Sequence, residues 1–333
     1  MFELSFIWAG IIAFAVLTYV ILDGFDLGVG ILFPFAEGER EKSTMMNSIA
    51  PIWDGNETWL VLGGGGLFAV FPLAYAIIMP ALYMPIILML LALIFRGVAF
   101  EYRWRTERWK PIWDIAFFGG SIVAAFMQGI ALGALVQGIQ ITGRAYSGGW
   151  WDWLSPFSIL TGLAVVIGYA LLVATWLIYK TEDGLQRKMQ GYAWWLAAAT
   201  LGFIGVVSIL TPFQDPEYFN RWLNLPGSIF SVLMPGAVLL AAWALFTGLN
   251  AGKDGQPFLA SISIFVLCFI GIGISFYPNI IPPNLTIVDA AAPDKSLRFA
   301  LVGTVVLVPM ILAYTAYAYW VFRGKVDPDE GYH

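Results

Sequence analysis

The chain has 333 residues, 59 % of them hydrophobic and 12 % charged, with a mean hydropathy of +0.78. Soluble domains run nearer ~45–50 % apolar and ~25 % charged, so these proportions exclude an ordinary soluble fold and specify a polytopic membrane protein. The formal net charge of −5 comes from acids divided between a mixed loop (Glu37, Glu39, Glu41), the C-terminal tail and the spans, a pattern that gives no support to nucleic-acid binding.

Taken in chain order at about 20 residues per span, apolar segments fall near 5–33, 51–72, 79–99, 117–139, 157–179, 191–211, 229–249, 258–280 and 299–322. These predict nine transmembrane helices, because the runs are too long for barrel strands and only a helix then satisfies its own backbone in lipid. Glu3 and the lack of a basic N-terminal region argue against a cleaved signal peptide, so the first segment reads as a retained span. No long linker or low-complexity tract divides the chain, which reads as a single membrane domain over residues 1–333.

The basic residues set the expected orientation. With alternate loops assigned to opposite sides, thirteen of the 17 Lys and Arg residues fall on one side, leaving Arg144, Arg221, Lys295 and Arg298 on the other. The positive-inside rule then puts the N-terminus outside and the C-terminus in the cytoplasm. Tryptophans in the outer loop (Trp150, Trp151, Trp153) and the inner one (Trp104, Trp109, Trp113) read as interfacial belts. The run Gly63 to Gly66 reads as a site of close helix packing, since no Gly-Lys-Ser/Thr follows it. Pro235 and Pro309 are expected to kink their helices, and Cys268, a single thiol in an apolar run, to be packing.

Charge inside the spans is confined to the first third. Asp23, Asp26, Asp54, Glu57, Arg96 and Glu101 lie in or beside the first three segments, whereas the six from Phe117 onward contain no Asp, Glu, Lys or Arg. An acid near the bilayer centre costs about 2.5–3.5 kcal/mol on insertion scales, so several together point to proton or ion traffic or to a polar contact with a partner. Three short stretches carry them: Asp23-Gly-Phe-Asp26, Trp53-Asp54-Gly-Asn56-Glu57, and Arg96 to Arg103 with Glu101. Asp23 with Asp26, and Asp54 with Glu57, are spaced to share a helix face, and Glu101 with Arg105 is spaced for an i, i+4 pair. A competing reading has Asp54 capping a helix and Arg96 snorkelling outward. The only histidine is His333, at the end of the chain, so any haem or redox metal is expected on another chain.

At these stretches the sequence resembles subunit II of the cytochrome bd quinol oxidases. The similarity runs through Asp23 to Gly30, Ser48 to Trp59 and Arg96 to Arg103, and continues in Phe276-Tyr-Pro278 and the span from Pro309 to Trp320. The resemblance implies an all-α integral membrane fold of two four-helix bundles, about residues 5–139 and 157–280, with a final helix near 299–322. It also implies a haem-bearing partner, subunit I, which holds haems b558, b595 and d, oxidises quinol and reduces dioxygen to water in the bacterial cytoplasmic (inner) membrane. The resemblance also allows small single-helix accessory subunits and contact with membrane lipid; some members hold a structural quinone, which no motif assigns here. By the same resemblance Asp54 and Glu101 are proton-path acids and Asp26 and Arg96 serve assembly or haem stability; Asp23, Trp53, Asn56 and Glu57, beside them, are expected in supporting or intersubunit roles with Asp26 and Arg96. A proton-coupled secondary transporter and a purely structural scaffold are the alternatives from other classes; against the transporter, the acidic cluster is not repeated in the second half.

Overall fold

The computed structural model describes residues 3–225 and 227–327; Pro226, expected at the end of an outer loop, and His333 lie outside them. The chain runs α1 (Leu4–Leu32), α2 (Gly38–Asn47), α3 (Trp53–Val70), α4 (Pro72–Ala81), α5 (Tyr83–Arg103), α6 (Lys110–Gln137), a hairpin of β1 (Ile141–Thr142) and β2 (Ala145–Tyr146), and α7 (Pro156–Lys180). It continues with α8 (Asp183–Leu210), α9 (Pro216–Leu223), α10 (Gly227–Asn250), α11 (Gly255–Phe276), a second hairpin of β3 (Asn279–Ile281) and β4 (Leu285–Thr286), α12 (Ile287–Ala290) and α13 (Asp294–Val321).

Among the described residues eight helices are long and apolar enough to cross a membrane: α1, α5, α6, α7, α8, α10, α11 and α13. The segment expected as the second span is present as the 18-residue α3, but Asp54, Asn56 and Glu57 crowd its first two turns and it falls outside those eight. The segment expected over 79–99 is not one helix either, since α4 ends at Ala81 and α5 begins at Tyr83, while the break near the end of the expected second segment falls at Phe71. Phe71 leaves the helical region (φ −123°, ψ 61°) and Pro72 opens a separate ten-residue helix, α4. Proline lacks an N–H and pushes the residue before it out of the α region, which accounts for the break. Pro235 and Pro309, by contrast, lie inside unbroken helices.

Helix starts follow local chemistry. At α7 the Ser155 hydroxyl accepts from the Ser158 amide at 3.0 Å while the Ser158 hydroxyl accepts from the Ser155 amide at 2.9 Å, a reciprocal capping box with Pro156 behind it. Packing between the spans depends on small residues. A Cβ on Gly28 of α1 would lie 2.4 Å from the Tyr169 carbonyl oxygen of α7, and one on Gly120 of α6 would lie 2.6 Å from the Ala92 carbonyl oxygen of α5. In lipid, where apolar surface alone does not drive helices together, such close approaches carry the association. The glycine run is only partly of this kind: Gly63 and Gly66 face Val16 and Ile12 of α1, but Gly64 and Gly65 have open space beside them.

α1 is central, packing against α3, α6 and α7 and touching α11 and α13. α5 packs on α6, α6 on α7, α7 on α8, and α10 on α11, while α13, among the described residues, packs mainly on α1 and α3 and leaves its apolar stretch unburied. One end of the molecule carries the two hairpins and α9. There the Ala292 amide donates to the Val70 carbonyl at 2.8 Å and the Trp8 indole to that of Leu297 at 3.1 Å. The opposite end carries α2 and the α5–α6, α7–α8 and α10–α11 connections, tied together by ion pairs.

A buried acid and arginine cluster as candidate functional site

Arg96 is the centre of the site. It enters from α5 with 1 % of its surface exposed, its backbone held against α6 by the close approach at Gly120. Its Nη1 donates to Asp23 Oδ1 at 3.2 Å and to Glu57 Oε1 at 2.8 Å, joining α5 to α1 and α3. The Trp53 ring covers the guanidinium, with Cζ 5.6 Å from the ring centroid, and Trp53 in turn packs on Phe100. Arg96 therefore does not snorkel outward: two carboxylates and an indole give a buried guanidinium the partners it needs.

Asp26, one turn beyond Asp23, is also wholly buried and within electrostatic reach of Arg96. Its Oδ2 accepts from Asn56 Nδ2 at 2.7 Å, and the Asn56 Oδ1 accepts from the Tyr319 hydroxyl of α13 at 3.1 Å. Asp23 Oδ2, Asp26 Oδ1 and Arg96 Nε and Nη2 have no protein partner, so the cluster keeps spare hydrogen-bonding capacity in its interior. A second chain arrives from the other side. The Tyr169 hydroxyl of α7 donates to Gln128 Oε1 at 2.6 Å, and Gln128 Nε2 of α6 donates to the Tyr19 hydroxyl at 2.8 Å. Tyr19 stands one turn before Asp23 on α1 and its hydroxyl interacts with that carboxyl.

The remaining expected site residues sit at the rim. Asp54 does not cap α3, whose N-cap is Ile52; it is exposed on the first turn, with its charge acting on Glu57 one turn further in. Glu101 is half-buried, and among the described residues its side chain makes no hydrogen bond or ion pair; the pairing expected with Arg105 is absent because α5 ends at Arg103. The fold brings Asp23, Asp26, Trp53, Asn56, Glu57 and Arg96, six of the expected site residues, into one cluster. The sequence gives no sign of Tyr19, Tyr169 or Tyr319, since tyrosines in apolar spans are ordinary. Gln128, an amide in mid-span, was the one visible signal, since such a group must find a partner.

A separate ionic layer closes the end near Glu101. Arg103, fully buried, donates to Asp114 at 2.6 Å and Glu39 at 2.9 Å, Lys42 donates to Asp114 at 2.7 Å, and Lys188 of α8 donates to Glu37 and Glu41 on either side of the start of α2. The hydrogen bond and charge of Lys188 hold the Glu37 carboxyl below the usual range. No group of His, Cys, Asp and Glu among the described residues is arranged to hold a metal ion.

A multi-pass helical membrane protein with a buried carboxylate and guanidinium cluster is the class this fold and site define. Residues 4–322 match the profile of a family described as cytochrome bd terminal oxidase subunit II. The chain is 32 % identical to cytochrome bd-I ubiquinol oxidase subunit 2 of Escherichia coli (strain K12), over 98 % of this chain and 96 % of that one. It is 28 % identical to cytochrome bd ubiquinol oxidase subunit 2 of Bacillus subtilis (strain 168), over 99 % of both. Its fold is similar to a chain of the bd oxidase from Geobacillus thermodenitrificans, with a TM-score of 0.78 at 18 % identity, covering 96 % of this chain and 98 % of that one. The chain belongs to the cytochrome bd terminal oxidase subunit II family.

Proposed function

We propose that this chain is the haem-free subunit of a bd-type quinol:oxygen oxidoreductase, supporting a haem-bearing subunit I and supplying a proton path from the cytoplasm for reduction of dioxygen to water. The reading places nine spans in the bacterial inner membrane, counting α3, with the N-terminus outside and the C-terminus cytoplasmic. It groups α1, α3, α5 and α6 as one four-helix bundle and α7, α8, α10 and α11 as a second, with α13 as the final helix. Haems b558, b595 and d belong to the partner: one histidine and one cysteine in 333 residues are a poor donor set for three haems. Quinol is oxidised on the outer side, so drawing protons for oxygen from the inside builds a gradient without pumping.

The observation that carries the proton role is the excess of acid: three carboxyl groups, Asp23, Asp26 and Glu57, share the single guanidinium of Arg96 inside the protein. Surplus carboxyls in a desolvated site are what loading and releasing protons requires. Asp54, exposed and electrostatically linked to Glu57, is the entry acid, and Glu101, unpaired beside the ionic layer, is the second. The test is Asp54→Asn and Glu101→Gln in the assembled complex. Oxygen consumption driven by quinol is expected to fall by about 100-fold, the usual scale for a lost proton-transfer group, with the haem spectrum unchanged. Loss of haem in parallel with activity would assign these acids to the support of the partner instead.

A further inference from the structure

The second hydrogen-bond partner of Asn56 comes from the last helix. Tyr319 reaches the cluster although α13 otherwise leaves its apolar stretch unburied, and its ring stands roughly perpendicular to the stacked rings of Phe25 and Trp176, with centroids 6.5 and 6.4 Å away. Between α3 and α13 lies a cavity of about 20 Å³, lined by Ile52, Asn56, Tyr314 and Tyr319 among others. That space is large enough for one water molecule. Asn56 and Tyr319 border it and Asp26 does not, so the Asn56 amide stands between the cavity and the acid.

The direction of the hydrogen bonds matters. The Tyr319 hydroxyl can donate to the Asn56 oxygen, which turns the amide NH2 toward Asp26. An amide does not itself pass on a proton readily, because its nitrogen would have to give one up first. Exchange at Asp26 from the cavity side therefore depends on where that amide is held. We propose that Tyr319 is a positioning residue for proton exchange at Asp26: its hydroxyl fixes the Asn56 amide between the acid and the α3–α13 cavity. The inference rests on the proton-path reading and adds to it a route through the seam with the last helix. The charged and titratable groups facing Asp26 are Asp23 from α1, Glu57 from α3, Arg96 from α5 and Tyr319 itself.

The experiment uses the purified complex with its haem-bearing partner and follows quinol-driven oxygen consumption across pH, with the haem spectrum as the measure of assembly. Tyr319→Phe keeps the ring and removes only the hydroxyl. With the amide free to turn, the charged form of Asp26 loses a fixed donor, and the limb of the profile governed by that acid moves to higher pH by about 0.7 unit, the effect of one neutral hydrogen bond. The double variant Tyr319→Phe/Asn56→Ala is expected to match Asn56→Ala alone, because both act through one amide. A Tyr319→Phe profile superimposable on the wild type, or additive effects in the double variant, overturns the proposal. Should Tyr319→Phe not assemble, Ala318→Val decides: it fills the cavity without touching the hydrogen bonds and is expected to lower turnover about five-fold, whereas unchanged turnover rejects the route. Failure of the proton-path reading itself shows separately, in wild-type turnover of Asp54→Asn.

Discussion

Arg96 and Asp23 meet 73 positions apart in sequence, Nη1 to Oδ1 at 3.2 Å, with each side chain 1 % exposed. Because Arg96 also holds Glu57, removing it strands two carboxyl groups. Arg96→Leu is expected to cost about 3–5 kcal/mol, the penalty for breaking a buried pair from one side. Asp23→Asn, which leaves Glu57 on the guanidinium, is expected to cost less. Thermal unfolding of the purified complex checks both; equal losses would mean that Glu57 alone does not compensate Arg96. The double variant Arg96→Met/Asp23→Leu should recover part of the single loss, since removing both members of a buried pair is far milder than orphaning one.

Close approach of α1 to α7 makes Gly28 intolerant of any side chain. A Cβ there would lie 2.4 Å from the Tyr169 carbonyl oxygen and 2.7 Å from the Val173 Cβ, and neither neighbour can swing away as a flexible chain end could. Gly28→Ala is expected to destabilise the complex by about 1–3 kcal/mol. Gly64→Ala is the control, because nothing lies within 4 Å of its added methyl, and its effect should stay within about 0.5 kcal/mol. A thermal shift as large for Gly64→Ala as for Gly28→Ala would show that the glycine run of α3 packs against something other than this chain.

Most spans were legible because lipid leaves a chain few options: a long apolar run must become a helix. The break at Leu82, inside the segment expected over 79–99, was not, since the run is apolar on both sides of it and nothing local separates a kink from a stop. The acids and Arg96 stood out by their cost. Which of them meet did not, because Asp23 and Arg96 come together through the packing of α1, α5 and α6, and spacing along one helix says nothing of another. Tyr319 and Lys180 were invisible for a related reason: a tyrosine in a span and a lysine at a helix end are ordinary there, and only the fold gives them partners.

Gln128 bridges Tyr169 and Tyr19 across three helices, and one amide satisfies both hydroxyls. Gln128→Leu is close in size and removes both bonds at once. It is expected to destabilise the complex by about 1–3 kcal/mol, the cost of leaving buried polar groups unpaired. Tyr169→Phe, which deletes only the outer bond of the chain, should cost about 1 kcal/mol or less. Denaturation of the two variants orders them; a larger loss for Tyr169→Phe would mean that the ring contact with Phe265 is linked to the hydroxyl and that the amide bridge is secondary.

Lys180, 4 % exposed at the end of α7, ties down the segment after α13. Its Nζ donates to the Phe322 carbonyl and, at 2.6 Å, to that of Gly324, while the Val326 amide donates back to the Lys180 carbonyl at 2.8 Å. Lys325 adds bonds to Thr181 and Asp254 at the α7–α8 and α10–α11 connections. The tail thus holds α13, which has little other packing, against the rest of the chain. Lys180→Met keeps the apolar stem but loses the donors, leaving two carbonyls without their charged partner. Trypsin, which cleaves after Arg323 and Lys325, is expected to cut the variant complex about ten-fold faster than the wild type, given that a charge-assisted hydrogen bond contributes about 1.5–3 kcal/mol and cleavage follows the open fraction. Lys325→Met removes a cleavage site along with its bonds, so the Arg323 cut alone is compared there. Equal cleavage rates in wild type and Lys180→Met would show that the tail is held by the backbone bond at Val326 and that the lysine contributes nothing to keeping α13 in place.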